Sequence, residues 1–103
     1  MKDEKKQEQK KQEQKKQEIV LKNLLNKKIL VKSKVLHTHE NKFYYYEYIG
    51  TYVAYDRIAL SIVLKDATIK LKEYPSEQVI KFTQQKYIFI NLTTIEAIIP
   101  LEY

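Results

Sequence analysis

The sequence contains no cysteine, no tryptophan, one glycine and two prolines among its 103 residues. Without cysteine there is no disulfide framework, no thiolate nucleophile and no zinc-thiolate site. A single glycine, Gly50, excludes a glycine-rich loop that cradles phosphates. No side-chain spacing pairs a nucleophile with a general base either. We therefore expect a protein that is not an enzyme and that needs no cofactor.

Long apolar runs are also lacking. The stretch IALSIVL is among the longest, and it is far too short to span a bilayer. The N-terminal residues are rich in lysine, glutamine and glutamate, unlike the apolar segment of a signal peptide. We expect an intracellular protein, cytoplasmic or, if the source is a eukaryote, nuclear, with no membrane partner.

The N-terminal 18 residues form an internal repeat. KKQEQ at 5–9 recurs at 10–14 and is followed by KKQE at 15–18. A period of five places no apolar stripe on a helix, which excludes a coiled coil. We predict that residues 1–18 are a low-complexity arm, either disordered or a solvated helix; an arm that binds RNA or a protein partner is the alternative. The net charge of +6 is compatible with a nucleic-acid partner but does not demand one.

Residues 19–103 have the pattern of one small, mostly β domain. Apolar residues at helical spacing predict an α-helix that ends near Asn26, and strand-like alternation follows it. After a first strand around 29–35, strands are predicted at Phe43–Tyr55, Ile58–Lys72, Val79–Ile90 and Ile95–Ile99. Short links between five strands imply an antiparallel meander, which in so few residues bends strongly into a small barrel.

Two stretches of this pattern resemble the motifs of the Sm and Sm-like (LSm) proteins. Gly50 followed by TYVAYD, a short turn and SIVLKDA resembles the first Sm motif, and YIFINLTTIEAII resembles the second. The segment LKNLLNKKILVKSK is similar to the family's N-terminal helix and first strand. In this resemblance Gly50, Asp56 and Asp66 occupy structural positions, with Gly50 at the bend of its strand and Asp56 capping the turn.

The resemblance implies a function in RNA metabolism. Sm-like subunits form rings of six or seven through pairing of their fourth and fifth strands, and the pore binds uridine-rich single-stranded RNA. The expected partners are other subunits of a homo- or hetero-oligomeric ring and single-stranded RNA, in a ribonucleoprotein for processing, splicing or decay. No metal is implied.

The positions that contact RNA depart from the family pattern. By resemblance they fall at these residues: Ile58, Ala59, Leu60, Ser61, Asn91 and Leu92. The base-reading asparagine becomes Leu60 or Ser61, and the stacking residue becomes Ile58 or Ala59. In the second motif Asn91-Leu92 replaces Arg-Gly, so we expect a scaffold subunit or one that binds RNA outside the usual uridine pocket. Asn91 is the best remaining polar contact.

A second departure is the segment VLHTHENKFYYYEY, which is longer than the family's usual hairpin. We expect it to prolong two paired strands beyond the barrel, with Tyr44, Tyr46 and Tyr48 on one face. Packing against neighbouring strands is the expected role of these rings, and base stacking is the alternative. His37 and His39 lack a third metal ligand beyond Glu40, so we predict a solvated hairpin end there.

Two other interpretations remain open at this stage. The chain can be a protein-interaction module that uses the Sm barrel for oligomerisation without binding RNA. It can also be an unrelated five-stranded barrel, such as an OB-fold or a ribosomal protein, which strand order distinguishes.

Overall fold

The structure, a computed structural model, describes residues 22–102. Within this range the chain forms six β-strands and one short 3-10 helix. Their bounds are β1 (Lys28–Ser33), β2 (His37–His39), β3 (Lys42–Asp56), β4 (Ser61–Tyr74), β5 (Val79–Asn91), the 3-10 helix (Leu92–Thr94) and β6 (Ile95–Pro100).

All six strands belong to one antiparallel sheet. Its hydrogen-bonded path runs β5-β4-β3-β1-β6, and the short β2 pairs with β3 beside that path. β5 and β6 are therefore the two edges, and the sheet is open between them. The prediction of a mostly β, antiparallel fold is confirmed. The predicted five-stranded barrel is wrong in its number of strands and in its closure, because the fourth and fifth predicted strands, now β5 and β6, do not pair with each other.

The predicted N-terminal α-helix is not seen among the described residues. The arm at 1–18 and the start of the predicted helix lie outside them, and only the first two described residues have helical backbone. A turn ends this segment at Asn26, whose φ of 64° is left-handed and whose N–H donates to the carbonyl of Tyr52 at 2.7 Å. Leu24 is buried, so the segment packs onto the sheet.

The core lies on the inner face of the curved sheet. Alternation along β1 explains its position, because Ile29 and Val31 are fully buried, whereas Lys28, Leu30 and Lys32, which alternate with them, are more exposed. Each such buried aliphatic side chain stabilises the fold by about 1.5–3 kcal/mol. The buried residues of the cluster are Leu24, Ile29, Val31, Tyr52, Ile62, Leu64, Ala67 and Ile90.

Gly50 lies in β3 where the sheet bends. The register between β3 and β4 shifts beside it, and Asp66 in β4 has a left-handed φ of 50°. A Cβ on Gly50 would lie 3.0 Å from the carbonyl oxygen of Lys65 and 3.2 Å from the Cα of Ala67. The glycine is therefore needed for the close approach of two backbones at the bend, not for an unusual φ of its own.

The solvated hairpin end predicted at His37 and His39 contains a short strand. β2 pairs with the start of β3 in a tight hairpin, whose two turn residues, Glu40 and Asn41, both have positive φ. The ring of His37 stacks on Tyr44, with centroids 4.5 Å apart and ring planes 13° apart. From Gly50 towards the β2–β3 hairpin, β3, β4 and β5 continue past the core as one three-stranded sheet, which we call the extension. β2 adds a short edge to it.

Candidate nucleic-acid interface

The residues aligned with the two Sm motifs meet at one end of the sheet. Ser61 at the start of β4 pairs with Asn91 at the end of β5, which places the Arg57–Leu60 turn beside the 3-10 helix. The N–H of Leu92 donates to the carbonyl of Leu60 at 2.8 Å. All six sequence-predicted contact residues therefore lie in one cluster of two turns, which we call the turn cluster (residues 56–61 and 91–94).

The first turn of the cluster is held by Asp56. Its Oδ1 accepts hydrogen bonds from the N–H groups of Ile58 at 2.9 Å and Ala59 at 3.1 Å, which is the capping role expected of it. The prediction that β4 begins at Ile58 is wrong, because these N–H groups bond to the carboxylate and the chain enters the strand only at Ser61. Leu60 completes the turn with a φ of 49°.

The amide of Asn91 joins the two turns. Its Nδ2 donates to the carbonyl of Ala59 at 3.1 Å, and its Oδ1 accepts from the N–H of Thr93 at 2.9 Å and from the Thr93 hydroxyl at 2.5 Å. Ser61 is engaged in the same way, since its Oγ donates to the Ala59 carbonyl at 3.1 Å. The polar groups that resemblance assigns to base recognition are therefore used inside the chain.

Two exposed side chains of the first turn are apolar. The side chain of Ile58 is 98% exposed, and that of Leu60 is also exposed. Leu92 is different, because it packs against the core and holds the 3-10 helix in place. Ile58 can contact the face of a base or an apolar partner, but it cannot read a base edge.

Asp66 does not belong to this cluster. It lies five residues along β4 from Ser61, about 16 Å away at the rise of a strand. Its side chain is exposed at the bend, beside a shallow groove of about 300 Å³ that Gln84, Gln85 and Lys86 also line. The structure thus separates a residue that marks the bend from the residues of the turns.

The edge next to the turn cluster carries large exposed rings. Phe89 on β5 is 72% exposed, and Tyr87 on the same strand is also exposed. The opposite edge, β6, exposes Ile99. Edge strands present unpaired N–H and C=O groups, so exposed apolar side chains along them favour pairing with another strand.

The extension holds charged groups that sequence reasoning missed. On its outer face Lys72 Nζ lies 3.4 Å from Glu47 Oε2, with the side chains 17% and 8% exposed. Burial is the largest single influence on the pKa of Lys72 and acts to lower it, but the nearby negative charges, that of Glu47 foremost, and the hydrogen bond to Glu47 together leave that pKa raised above 10.5. On the inner face Lys42 Nζ lies 3.5 Å from Glu73 Oε1. These pairs depend on the register between β3 and β4, so no local sequence pattern indicated them.

The inner face of the extension also contains an open groove of about 280 Å³. Its lining residues are Tyr46, Tyr48, Ile69, Leu71, Lys81 and Thr83. The tyrosines were predicted to share a face; Lys81 and Thr83 were not singled out, because their position depends on the register between β4 and β5.

The predicted solvated hairpin contains both histidines. His39 Nε2 lies 3.8 Å from Glu40 Oε1, and both side chains are exposed. Among residues 22–102 there is no group of three or more potential metal ligands. A helix of the length and apolarity that membrane crossing requires is likewise not found in that range.

Comparison with solved structures finds the same fold in a heptameric archaeal Sm protein, which matches with a TM-score of 0.52 at 17% sequence identity. The match covers 82% of this chain and 98% of that one. At this identity the likeness establishes the fold, so the chain has an Sm-like fold. No family model and no curated protein matches the sequence.

Proposed function

We propose that this chain is a subunit of an Sm-like ring that acts in RNA metabolism inside the cell. The observation that carries the proposal is the open sheet, whose two edges, β5 and β6, are adjacent to the turn cluster. Pairing of β5 of one subunit with β6 of the next leaves no edge unpaired at these positions and repeats around a closed ring. The matched archaeal protein, which is a heptamer, supports this arrangement.

Ring pairing has to be confined to part of β5. β6 contains six residues and β5 thirteen, so a neighbour's β6 spans about half of β5. We place that half next to the turn cluster, where Phe89 and Tyr87 would be covered. The other half, which includes Phe82, remains outside the contact between subunits.

The turn cluster supports a scaffold role more than uridine recognition. The amide of Asn91 is already bonded on both sides within the chain, and a base would have to displace these bonds. Electrostatic attraction of phosphates remains, because residues 19–103 contain twelve basic and eight acidic side chains, a net charge of +4.

The assembly is tested by native mass spectrometry of the full chain. We expect closed oligomers at multiples of the 12.4 kDa subunit, alone or with Sm-like subunits of the source. Phe89→Ser is expected to shift the oligomers towards monomer, whereas the matched control Phe82→Ser on the same strand leaves them unchanged. The ring is contradicted if the wild-type chain is a monomer both when it is purified alone and when it is isolated from its source.

The scaffold role is tested with a 12-nucleotide oligo(U) RNA and fluorescence anisotropy. We expect weak binding that falls steeply with salt and that Asn91→Ala leaves within about twofold. Tight oligo(U) binding that this substitution abolishes, in a variant whose circular dichroism is unchanged, contradicts the scaffold role.

A second candidate function is a protein-interaction module without RNA. The exposed Ile58 and the internally bonded polar groups of the turn cluster favour it. The absorbance ratio at 260 and 280 nm of protein purified from its source through a high-salt wash separates the two, because retained nucleic acid contradicts the module.

A further inference from the structure

The tyrosine groove on the inner face of the extension has the geometry of a stacking surface. Strand pairing places Tyr46 opposite Leu71 and Tyr48 opposite Ile69, and the next strand adds Lys81 and Thr83 opposite these aliphatics. Because directly paired residues point to the same side of a sheet, aromatic rings, an aliphatic floor and a cationic rim line one groove. The groove is open to solvent along the free edge of β5.

The tyrosine row already holds one planar heteroaromatic ring. His37 stacks on Tyr44, the first tyrosine of the row, at 4.5 Å between centroids and 13° between planes. An imidazole in this position has the shape and π-face of a small nucleobase. The contact is made by directly paired residues of β2 and β3, and a base stacked on a following tyrosine would meet the same kind of ring face.

Spacing along the row fits an extended nucleic-acid strand. The rings of Tyr46 and Tyr48 have centroids 5.9 Å apart, close to the roughly 6.6 Å that two residues of a strand span. This is about twice the 3.4 Å rise of a stacked nucleotide strand. One base per tyrosine therefore requires a single strand that is stretched and unpaired.

Charge selects an anionic occupant. On this face Lys42 is already paired with Glu73, while Lys81 forms no ion pair among the described residues and lies at the rim of the groove. Its ammonium is placed to meet a phosphate whose base stacks on the tyrosines, and the Thr83 hydroxyl can donate to or accept from the same nucleotide.

We propose that the groove formed by Tyr46, Tyr48, Ile69, Leu71, Lys81 and Thr83 binds unpaired bases of single-stranded RNA by stacking, with Lys81 on the backbone phosphate. It is a second RNA site, at the end of the strands opposite the turn cluster. The proposal rests on the proposed function in taking RNA as the partner, but it does not require the pore of a ring. Because stacking accepts every base, the site discriminates little between sequences.

The test uses the full chain and two labelled 12-nucleotide probes, oligo(A) and oligo(U), with anisotropy measured from 50 to 200 mM salt. Tyr46→Leu keeps apolar volume but removes the ring, and we expect it to weaken binding of both probes about five- to tenfold. Tyr45→Leu, on the opposite face of the same strand, is the matched control and is expected to change binding less than about twofold.

The lysine is tested independently of the core. Lys81→Gln lies on an exposed edge strand, so folding is preserved, and we expect it to lower the slope of log affinity against log salt by about 1. Lys65→Gln removes the same charge from another exposed strand position and is expected to leave the slope within about 0.3 of wild type.

The outcomes separate this site from the proposed function. Two results contradict RNA binding by the groove: equal losses in Tyr46→Leu and Tyr45→Leu, or binding that neither Tyr46→Leu nor Lys81→Gln changes. The groove is then a surface for a protein partner. If binding then falls with Asn91→Ala, RNA is bound at the turn cluster; the function in RNA metabolism stands, and the scaffold role fails. If the wild type binds neither probe at 50 mM salt, the groove and the RNA half of the proposed function both fail, while oligomer masses still report on the ring.

Discussion

At one end of β3, β4 and β5 two turns are held together by side-chain hydrogen bonds, whereas at the other end the strands are held by ion pairs and stacked rings. In the turn cluster Asp56 and Asn91 use their oxygens and amide on the chain's own backbone. In the extension Glu47 is neutralised by Lys72, and Tyr44 is stacked on His37.

The two ends differ in which of their side chains remain available to a ligand. The turn cluster contains the residues that the resemblance assigns to RNA contact, but the amide of Asn91 and the hydroxyl of Ser61 are bonded within the chain and its tip is the apolar Ile58. The extension lies outside the motifs, yet it keeps aromatic faces and Lys81 accessible. A fold can therefore retain the framework of a site at one end of its strands while the groups suited to a ligand lie at the other.

The largest expected effect on stability is at the extension. Lys72→Met leaves Glu47 with its side chain 8% exposed and without its partner at 3.4 Å. Removing one partner of a buried pair is strongly destabilising. Lys32 and Lys70 face Glu47 across the neighbouring strands and partly compensate its charge. We therefore expect a moderate loss of about 2 kcal/mol in unfolding free energy.

Urea denaturation followed by circular dichroism measures this loss. Lys70→Met is the matched control, because Lys70 lies directly opposite Glu47 without forming the ion pair, and it is expected to cost less than about half as much. The double change Glu47→Met and Lys72→Met is expected to recover most of the stability. Equal costs for both lysines would mean that the extension depends on general charge, not on this pair.

A smaller effect is expected at the turn cluster. Asp56→Ala removes the acceptor of two backbone N–H groups, but the turn is exposed and water can replace the carboxylate. We expect a loss of about 1 kcal/mol in unfolding free energy, as for other side-chain caps. Asp56→Asn keeps an acceptor oxygen and is the control, with a cost of less than about half of that. A larger loss than for Lys72→Met would reverse the ranking of the two ends.

Sequence patterns were sufficient for β1, β3, β5 and β6, for the bend and for the location of the turns. Alternation identifies β1, and Asp56 stands where the turn after β3 begins. The hairpin end at His37 and His39 was predicted, but β2 itself was missed because three polar residues have no apolar alternation. The opening of the sheet was also missed, since no local pattern tells whether two distant edges pair.

The chemistry of the candidate sites was harder to predict than their place. Asn91 was expected to face RNA, but its hydrogen bond to Ala59 depends on a contact between residues 32 positions apart. Lys81 joins the tyrosine groove only through the register of β4 and β5. Side-chain partners set by long-range register are not written in the local sequence.

The smallest effect is a dependence of stability on alkaline pH that involves both regions. Burial raises the pKa of Tyr52 in the core above 10.0, with a further contribution from Tyr55. Burial likewise raises the pKa of Tyr48 at the start of the extension, with a contribution from Tyr46. In each case the folded protein holds the proton more tightly than the unfolded chain does.

The sign follows from linkage. A group whose pKa is raised on folding stabilises the fold fully below its unfolded pKa, and that contribution is lost as the pH rises through the folded pKa. The raised pKa of Lys72 acts in the same direction from 10.5 upward. We therefore expect the unfolding free energy to be level between pH 8 and 9 and to fall above about pH 10, by less than the loss expected for Asp56→Ala.

Substitution by phenylalanine assigns this loss to a region. Tyr52→Phe and Tyr48→Phe each remove one ionisable phenol while keeping the ring, so each is expected to flatten the fall between pH 10 and 11 relative to wild type. Tyr87→Phe, which alters an exposed ring on β5, is the control. Urea midpoints at pH 8.5, 10 and 11 provide the measurement. If only Tyr52→Phe flattens the profile, the loss of stability at alkaline pH comes from the core, and Tyr48 in the extension does not contribute to it.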